Sequence, residues 1–144
     1  MPDVFRLTRI VSTATGGTRF VAADVPLTSQ GIIGRMSDAA DAGTVQFRET
    51  DEDYDWDYHA APARQLILLL DGEIEIACTD RGADGHPVGA LDVRRFGSGD
   101  VLLVEDVDGY GHKTRQLSSG PRRSVFVTLA DGAFLDPEAA GGSA

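Results

Sequence analysis

The run Gln65-Leu66-Ile67-Leu68-Leu69-Leu70-Asp71-Gly72-Glu73-Ile74-Glu75-Ile76-Ala77-Cys78 decides the fold class. Its first half is apolar without alternation, the pattern of a strand covered on both faces. Its second half alternates, as a strand with one buried face does. Asp71-Gly72 between them tolerates φ > 0 at both positions and predicts a two-residue hairpin turn, pairing Gln65–Leu70 with Glu73–Cys78.

Further short runs lie on either side. Phe5–Val11 and Thr18–Ala22 alternate apolar and polar residues, and Thr44–Glu49, Asp92–Phe96, Val101–Val104, Lys113–Leu117 and Ser124–Leu129 complete about nine candidate strands. Residues 80–90, rich in Gly, Asp and Pro, read as a long loop. No window carries a convincing helical face, and residues 37–42 are expected to form one short turn at most. Short strands without helices predict an all-β sandwich or barrel. Residues 1–136 are expected to form one domain and residues 137–144, Ala/Gly/Ser-rich at their end, a disordered tail.

The chain has 144 residues, 42% hydrophobic and 25% charged, which is ordinary for one globular domain. Its 23 acidic and 13 basic residues leave a net charge of −10. Long-range repulsion therefore argues against nucleic acid or an anionic membrane as partner. The longest apolar run, Leu66–Leu70, is far short of the ~20 residues that span a bilayer. No secretory pattern opens the chain, so a cytoplasmic location is expected. The lone cysteine, Cys78, sits inside an apolar strand pattern with no His or Lys near it in sequence, and is expected to be an inert buried residue.

Three histidines are present. His59 and His112 each stand at the entrance of a predicted strand, whereas His86 falls in the 80–90 loop and is expected to be solvated, on the far side of the hairpin. Neutral imidazole is the commonest ligand for first-row divalent metals. Six residues separate Gln65 from Gly72. Downstream, Gly97-Ser98-Gly99-Asp100 turns into an apolar strand, and His112 follows Asp100 by twelve positions.

These two stretches resemble the paired motifs of the cupin superfamily, over roughly residues 44–129. Trp56, His59, Ala61, Pro62, Arg64 and Gln65 in the first, and Glu105, Asp106, Gly109, Gly111 and His112 in the second, are similar to a group of small single-domain bacterial cupins. The resemblance implies a single cupin-type jelly-roll β-barrel with one mononuclear divalent-metal pocket. The implied ligands are His59, Gln65 and His112, with Asp57 as a fourth. Asp57 stands where the family has its first histidine, Gln65 replaces its Glu, and the proline of its second turn is missing. Such nitrogen and oxygen donors suit Fe, Mn, Ni, Co or Zn.

Glu105 is expected to move a proton at that metal, and Asp106 to hold the glycine-rich turn. Arg64 alternates with Gln65 and is expected to form an ion pair on the other face. The acidic run Asp51–Asp57 is not a calcium loop, because Trp56 stands where an EF-hand has Gly and Pro62 where it has Glu. The expected function is a metal-dependent isomerase, lyase or oxygenase acting on a small organic molecule. The alternatives are a non-catalytic barrel that binds or senses a small ligand, and a metal-free sugar-type epimerase, whose usual His/Tyr or His/Asp pairing is not evident in the sequence. A homodimer is expected, with the Phe5–Val11 run as the exchanged or added edge.

Overall fold

The computed structural model describes residues 3–130, so the expected tail at 137–144 lies outside the described residues. Alternation along the N-terminal third produces β1 (Val4–Ser12) and β2 (Thr18–Pro26), paired antiparallel throughout their lengths. A short ribbon follows, β3 (Thr28–Ser29) and β4 (Arg35–Met36), closed by a single 3₁₀ turn at Gly31–Ile33. Residues 37–41 hold no helical turn. The remaining strands are β5 (Ala42–Thr50), β6 (Gln65–Leu69), β7 (Glu73–Cys78), β8 (Asp92–Gly97), β9 (Val101–Val104), β10 (Lys113–Gln116) and β11 (Arg122–Leu129).

Six strands form one sheet in the order β2-β1-β9-β6-β11-β5, and three form a second in the order β10-β7-β8. Isolated bridges Asp55↔Arg115 and His59↔His112 add residues 55–59 to the free edge of β10. From β5 onward the pairing is nested. β5 pairs with β11, the 55–59 segment with β10, β6 with β9, and β7 with β8. One long hairpin wrapped on itself is the jelly roll. The chain is therefore all-β, and its two sheets face each other as a sandwich without joining into a closed barrel among the described residues.

The expected β6–β7 hairpin does not form. β6 is flanked by β9 and β11, so both its hydrogen-bonding edges are taken, as befits a run without alternation. Asp71-Gly72 instead carries the chain from one sheet to the other. Leu70 N–H donates to Arg123 O at 3.1 Å, whereas Glu73 O accepts from Leu117 N–H at 2.8 Å in the opposite sheet. Gly72 supplies the φ of +79° this corner needs, and a Cβ there would lie 2.7 Å from Arg122 Cβ. The Asp71 carboxylate fixes the corner to β11, accepting from Arg123 N–H at 2.6 Å and Arg123 Nε at 2.7 Å. The Asp-Gly pair encodes the positive φ, not the partner strand.

Alternation assigns the faces. Ile67 and Leu69 of β6 pack with Ile10, Phe20, Ile74, Ile76, Phe96, Leu102 and Val104 between the sheets. Leu66 packs on the outer face with Leu7, Ala23, Val25, Leu103 and Leu129. An apolar cavity of about 500 Å³ opens on that outer face beside Leu7, Val25 and Val101. β1, expected as an exchangeable edge, is held on both sides within the chain by β2 and β9, leaving β2 and β5 as the edges of the large sheet. No described helix is long and apolar enough to cross a membrane.

Candidate functional site

Between the two bridges that hold residues 55–59 on β10, Trp56, Asp57 and Tyr58 face only Lys113 and Thr114. That extra residue is a β-bulge, a device that re-aims the side chain beyond it. Asp55 is exposed, opposite the exposed Arg115, whereas His59 lies opposite the buried His112. His112 shares its face with Thr114 and Gln116, which pair with the core residues Ile76 and Ile74. The bulge thus turns His59 toward the interior.

The backbones of His59 and His112 exchange two hydrogen bonds of 3.2 Å, and their ring centroids are 6.1 Å apart. Gly111 allows this approach with a φ of +72°, since a Cβ there would collide with the His59 carbonyl.

Each imidazole is fixed through Nδ1. His59 Nδ1 lies 2.9 Å from the Asp57 carbonyl oxygen, which can only accept, so Nδ1 carries the proton. Trp56, 61% exposed, stacks on the His59 ring at 4.2 Å. His112 Nδ1 lies 2.5 Å from Asp106 Oδ2, and Asp106 is 0% exposed. In both rings the arrangement leaves the Nε2 lone pair for chemistry. Among the described residues Asp106 Oδ1 has no hydrogen-bond partner, and the Asp106 side chain makes no bond to the backbone of the glycine turn. The role expected for Asp106, turn-holding, is therefore corrected: its carboxylate orients His112. The missed signal is that Gly109 and Gly111, with φ of +75° and +72°, curl the chain back so that residues six apart meet.

A cavity of about 470 Å³ opens beside His59, lined by Asp57, Tyr58, Pro87, Gly89 and Tyr110. The 80–90 loop belongs to this mouth, contrary to its expected place on the far side. Tyr110 Oη donates to Gly85 O at 2.6 Å, and the Arg81 guanidinium covers the Tyr110 ring. His86 is exposed, as expected. Burial pushes the Tyr58 hydroxyl above its ordinary pKa, and the charge of Asp57 adds to the rise.

The other expected site residues divide. Gln65 stands on the inner face with Ile67 and Leu69, opposite Val104 and so at the same end as Asp106. It is 6% exposed, and its carboxamide has no hydrogen-bond partner among the described residues. Asp57 is exposed; its carboxylate accepts from Tyr58 N–H at 2.8 Å, and it serves His59 through its backbone carbonyl.

Glu105 does not join the imidazoles. It continues the outward parity of Leu103 and is clamped between Arg9 Nε at 2.5 Å and Arg64 Nε at 2.7 Å, with Arg9 and Glu105 both buried. Arg64 thereby makes its expected ion pair. Cys78 is buried, and burial pushes its thiol up to about 11, in keeping with an inert structural role.

The two imidazoles offer nitrogen donors, and the Gln65 carboxamide at the same end of the sandwich an oxygen donor, the ligand types a divalent metal takes. Among the described residues no three His, Cys, Asp or Glu side chains are arranged to hold a metal ion, so such a set would depend on Gln65.

No family model and no curated protein sequence matches the chain. Among solved structures, it is similar to protein NMB1881 from Neisseria meningitidis, with 16% identity and a TM-score of 0.38 over 64% of this chain and 84% of that one. It is also similar to the QdtA 3,4-ketoisomerase from Thermoanaerobacterium thermosaccharolyticum, solved in complex with TDP. That match has 13% identity and a TM-score of 0.43, over 74% of this chain and 77% of that one. Overlap this partial fixes neither substrate nor reaction.

Proposed function

We propose that the chain is a cupin-type enzyme acting on a small polar organic molecule bound over His59 and His112, where His112 takes up and returns a proton. The buried Asp106–His112 pair carries this reading. A carboxylate on Nδ1 fixes the tautomer and ring orientation and stabilises the imidazolium formed when Nε2 accepts a proton. Trp56 and the bulge hold His59 beside it, where a second imidazole can polarise or protonate a substrate oxygen. The reaction class this favours is proton transfer next to a carbonyl, as in an isomerase or lyase. Glu105, with both oxygens committed to guanidiniums on the opposite face of the sheet, is structural in this reading.

The test is solvent deuterium incorporation, followed by NMR, into a panel of hydroxy-ketones and keto-sugars. The wild type is expected to exchange at least one panel member, and His112→Asn to abolish that exchange with its circular dichroism unchanged. Equal exchange by the variant sinks the proposal.

The unpartnered Gln65 carboxamide favours a second reading, in which His59, His112 and Gln65 hold a divalent metal. Bound, the metal would act as a Lewis acid on a substrate oxygen. Elemental analysis of protein purified without chelator is then expected to show one metal per chain, lost in the His59→Ala/His112→Ala double variant. Full occupancy in that variant would remove the assignment.

A further inference from the structure

The end of the sandwich away from the imidazoles carries two cations that no carboxylate among the described residues pairs. Arg122 on β11 is 4% exposed, and its Nε donates to Gln116 Oε1 at 3.1 Å. Arg48 on β5 is exposed. Among the described residues neither is ion-paired to a carboxylate. Both approach one ring, with Cζ of Arg48 5.3 Å and of Arg122 5.9 Å from the Tyr54 centroid. Glu52, an acid of this end, has Oε2 bound to Gly120 N–H at 2.6 Å.

The register of β5 and β11 sets Arg48 opposite Ser124 and Thr50 opposite Arg122. Directly opposed residues share a face with Cβ atoms ~5 Å apart, so the four side chains form a square with like residues on its diagonals. The face is the inner one, because Ser124 also stands opposite Leu69. Thr50 Oγ1 and Ser124 Oγ, on residues 5% and 1% exposed, have no hydrogen-bond partner among the described residues. A buried polar group left unbonded costs free energy, as does a buried charge without a partner. Burial, with the like charge of Arg48 behind it, already weakens the hold of Arg122 on its proton. Apart from the Arg122 Nε–Gln116 bond, these guanidinium and hydroxyl groups have no acceptor among the described residues, and such donors on one face are complementary to an oxyanion.

We propose that Arg48, Thr50, Arg122 and Ser124 bind a small oxyanion, a phosphate or carboxylate group, at a site distinct from the imidazole mouth. The two are separated along β11, where Gln65 faces Thr128, six residues and roughly 20 Å beyond Arg122. Arg48, exposed, marks the solvent side of the square. With a net charge of −10 the protein repels anions at long range, so saturable binding cannot come from its overall field.

The test titrates the full chain at low ionic strength with inorganic phosphate and, separately, with succinate. Binding is read by calorimetry and by the fluorescence of Trp56, the only tryptophan, two residues from Tyr54. One saturable site per chain is expected for at least one of the two anions, and which one binds assigns the group. Arg48→Gln, an exposed substitution that keeps the fold, is expected to weaken binding roughly tenfold or more, and Ser124→Ala to weaken it less. Absence of saturable binding of both anions into the millimolar range overturns the proposal, as does unchanged affinity in Arg48→Gln.

Discussion

Asp106 shows how one buried atom pair organises a site. Its carboxylate is fully enclosed and meets His112 Nδ1 at 2.5 Å. Asp106→Asn keeps the shape and removes the charge that steadies a protonated ring. Proton transfer to deuterated solvent is expected to slow about 10–100-fold, with the unfolding midpoint moved far less than activity. An unaltered rate would deny Asp106 any part in positioning His112. The two histidines were legible from sequence because residue type alone marks them, whereas Asp106 was not, because its partner is reached only through two left-handed glycines. The outward face of Glu105, by contrast, follows from simple parity with Leu103 along β9, and the family resemblance pulled the expectation the other way.

At the scale of elements, corners and bulges decide what strands alone do not. Gly111→Ala would place a methyl group against the His59 carbonyl at a positive φ. A loss of roughly 2–4 kcal/mol is expected in denaturant unfolding. A wild-type midpoint would mean that the His59–His112 bridge is not formed as described. The corner at Asp71 is electrostatic. Hydrogen bonds from the Arg123 N–H and guanidinium hold the Asp71 carboxyl below its usual pKa. A depressed folded-state pKa adds stability above the ordinary carboxylate value, and that addition fades as pH falls through the depressed one. Asp71→Asn is therefore expected to be less stable than wild type near neutral pH, with the gap closing in acid; a gap independent of pH would count against the pairing. Nine of the strands were legible from neighbouring residues, eight by alternation or short apolar runs and β6 by its unbroken apolar run, whereas the two-residue strands β3 and β4 were too short to leave a pattern. The partner of β6 was not legible either, because Asp-Gly serves a corner between sheets as readily as a hairpin.

Across the whole molecule, 23 acids against 13 bases leave a self-repelling surface. Raising salt from about 0.01 M to about 0.3 M shortens the Debye length from ~30 Å to several ångströms. The thermal midpoint is expected to rise, by roughly 2–4 °C for each kcal/mol of repulsion relieved. A falling midpoint by calorimetry would show that ion pairs such as Arg6–Asp24 and Arg123–Asp71 outweigh the net charge.

Nested pairing has a further consequence, for synthesis. As the chain leaves the ribosome, β5 emerges with its partner still some seventy residues of translation away, since Thr50 must wait for Arg122. Among the described strands only β1 with β2, β3 with β4, and β7 with β8 find neighbours early. Until β11 appears, the nascent polypeptide carries an open β5 edge bearing the apolar Val45 and Phe47, a natural client for a holding chaperone.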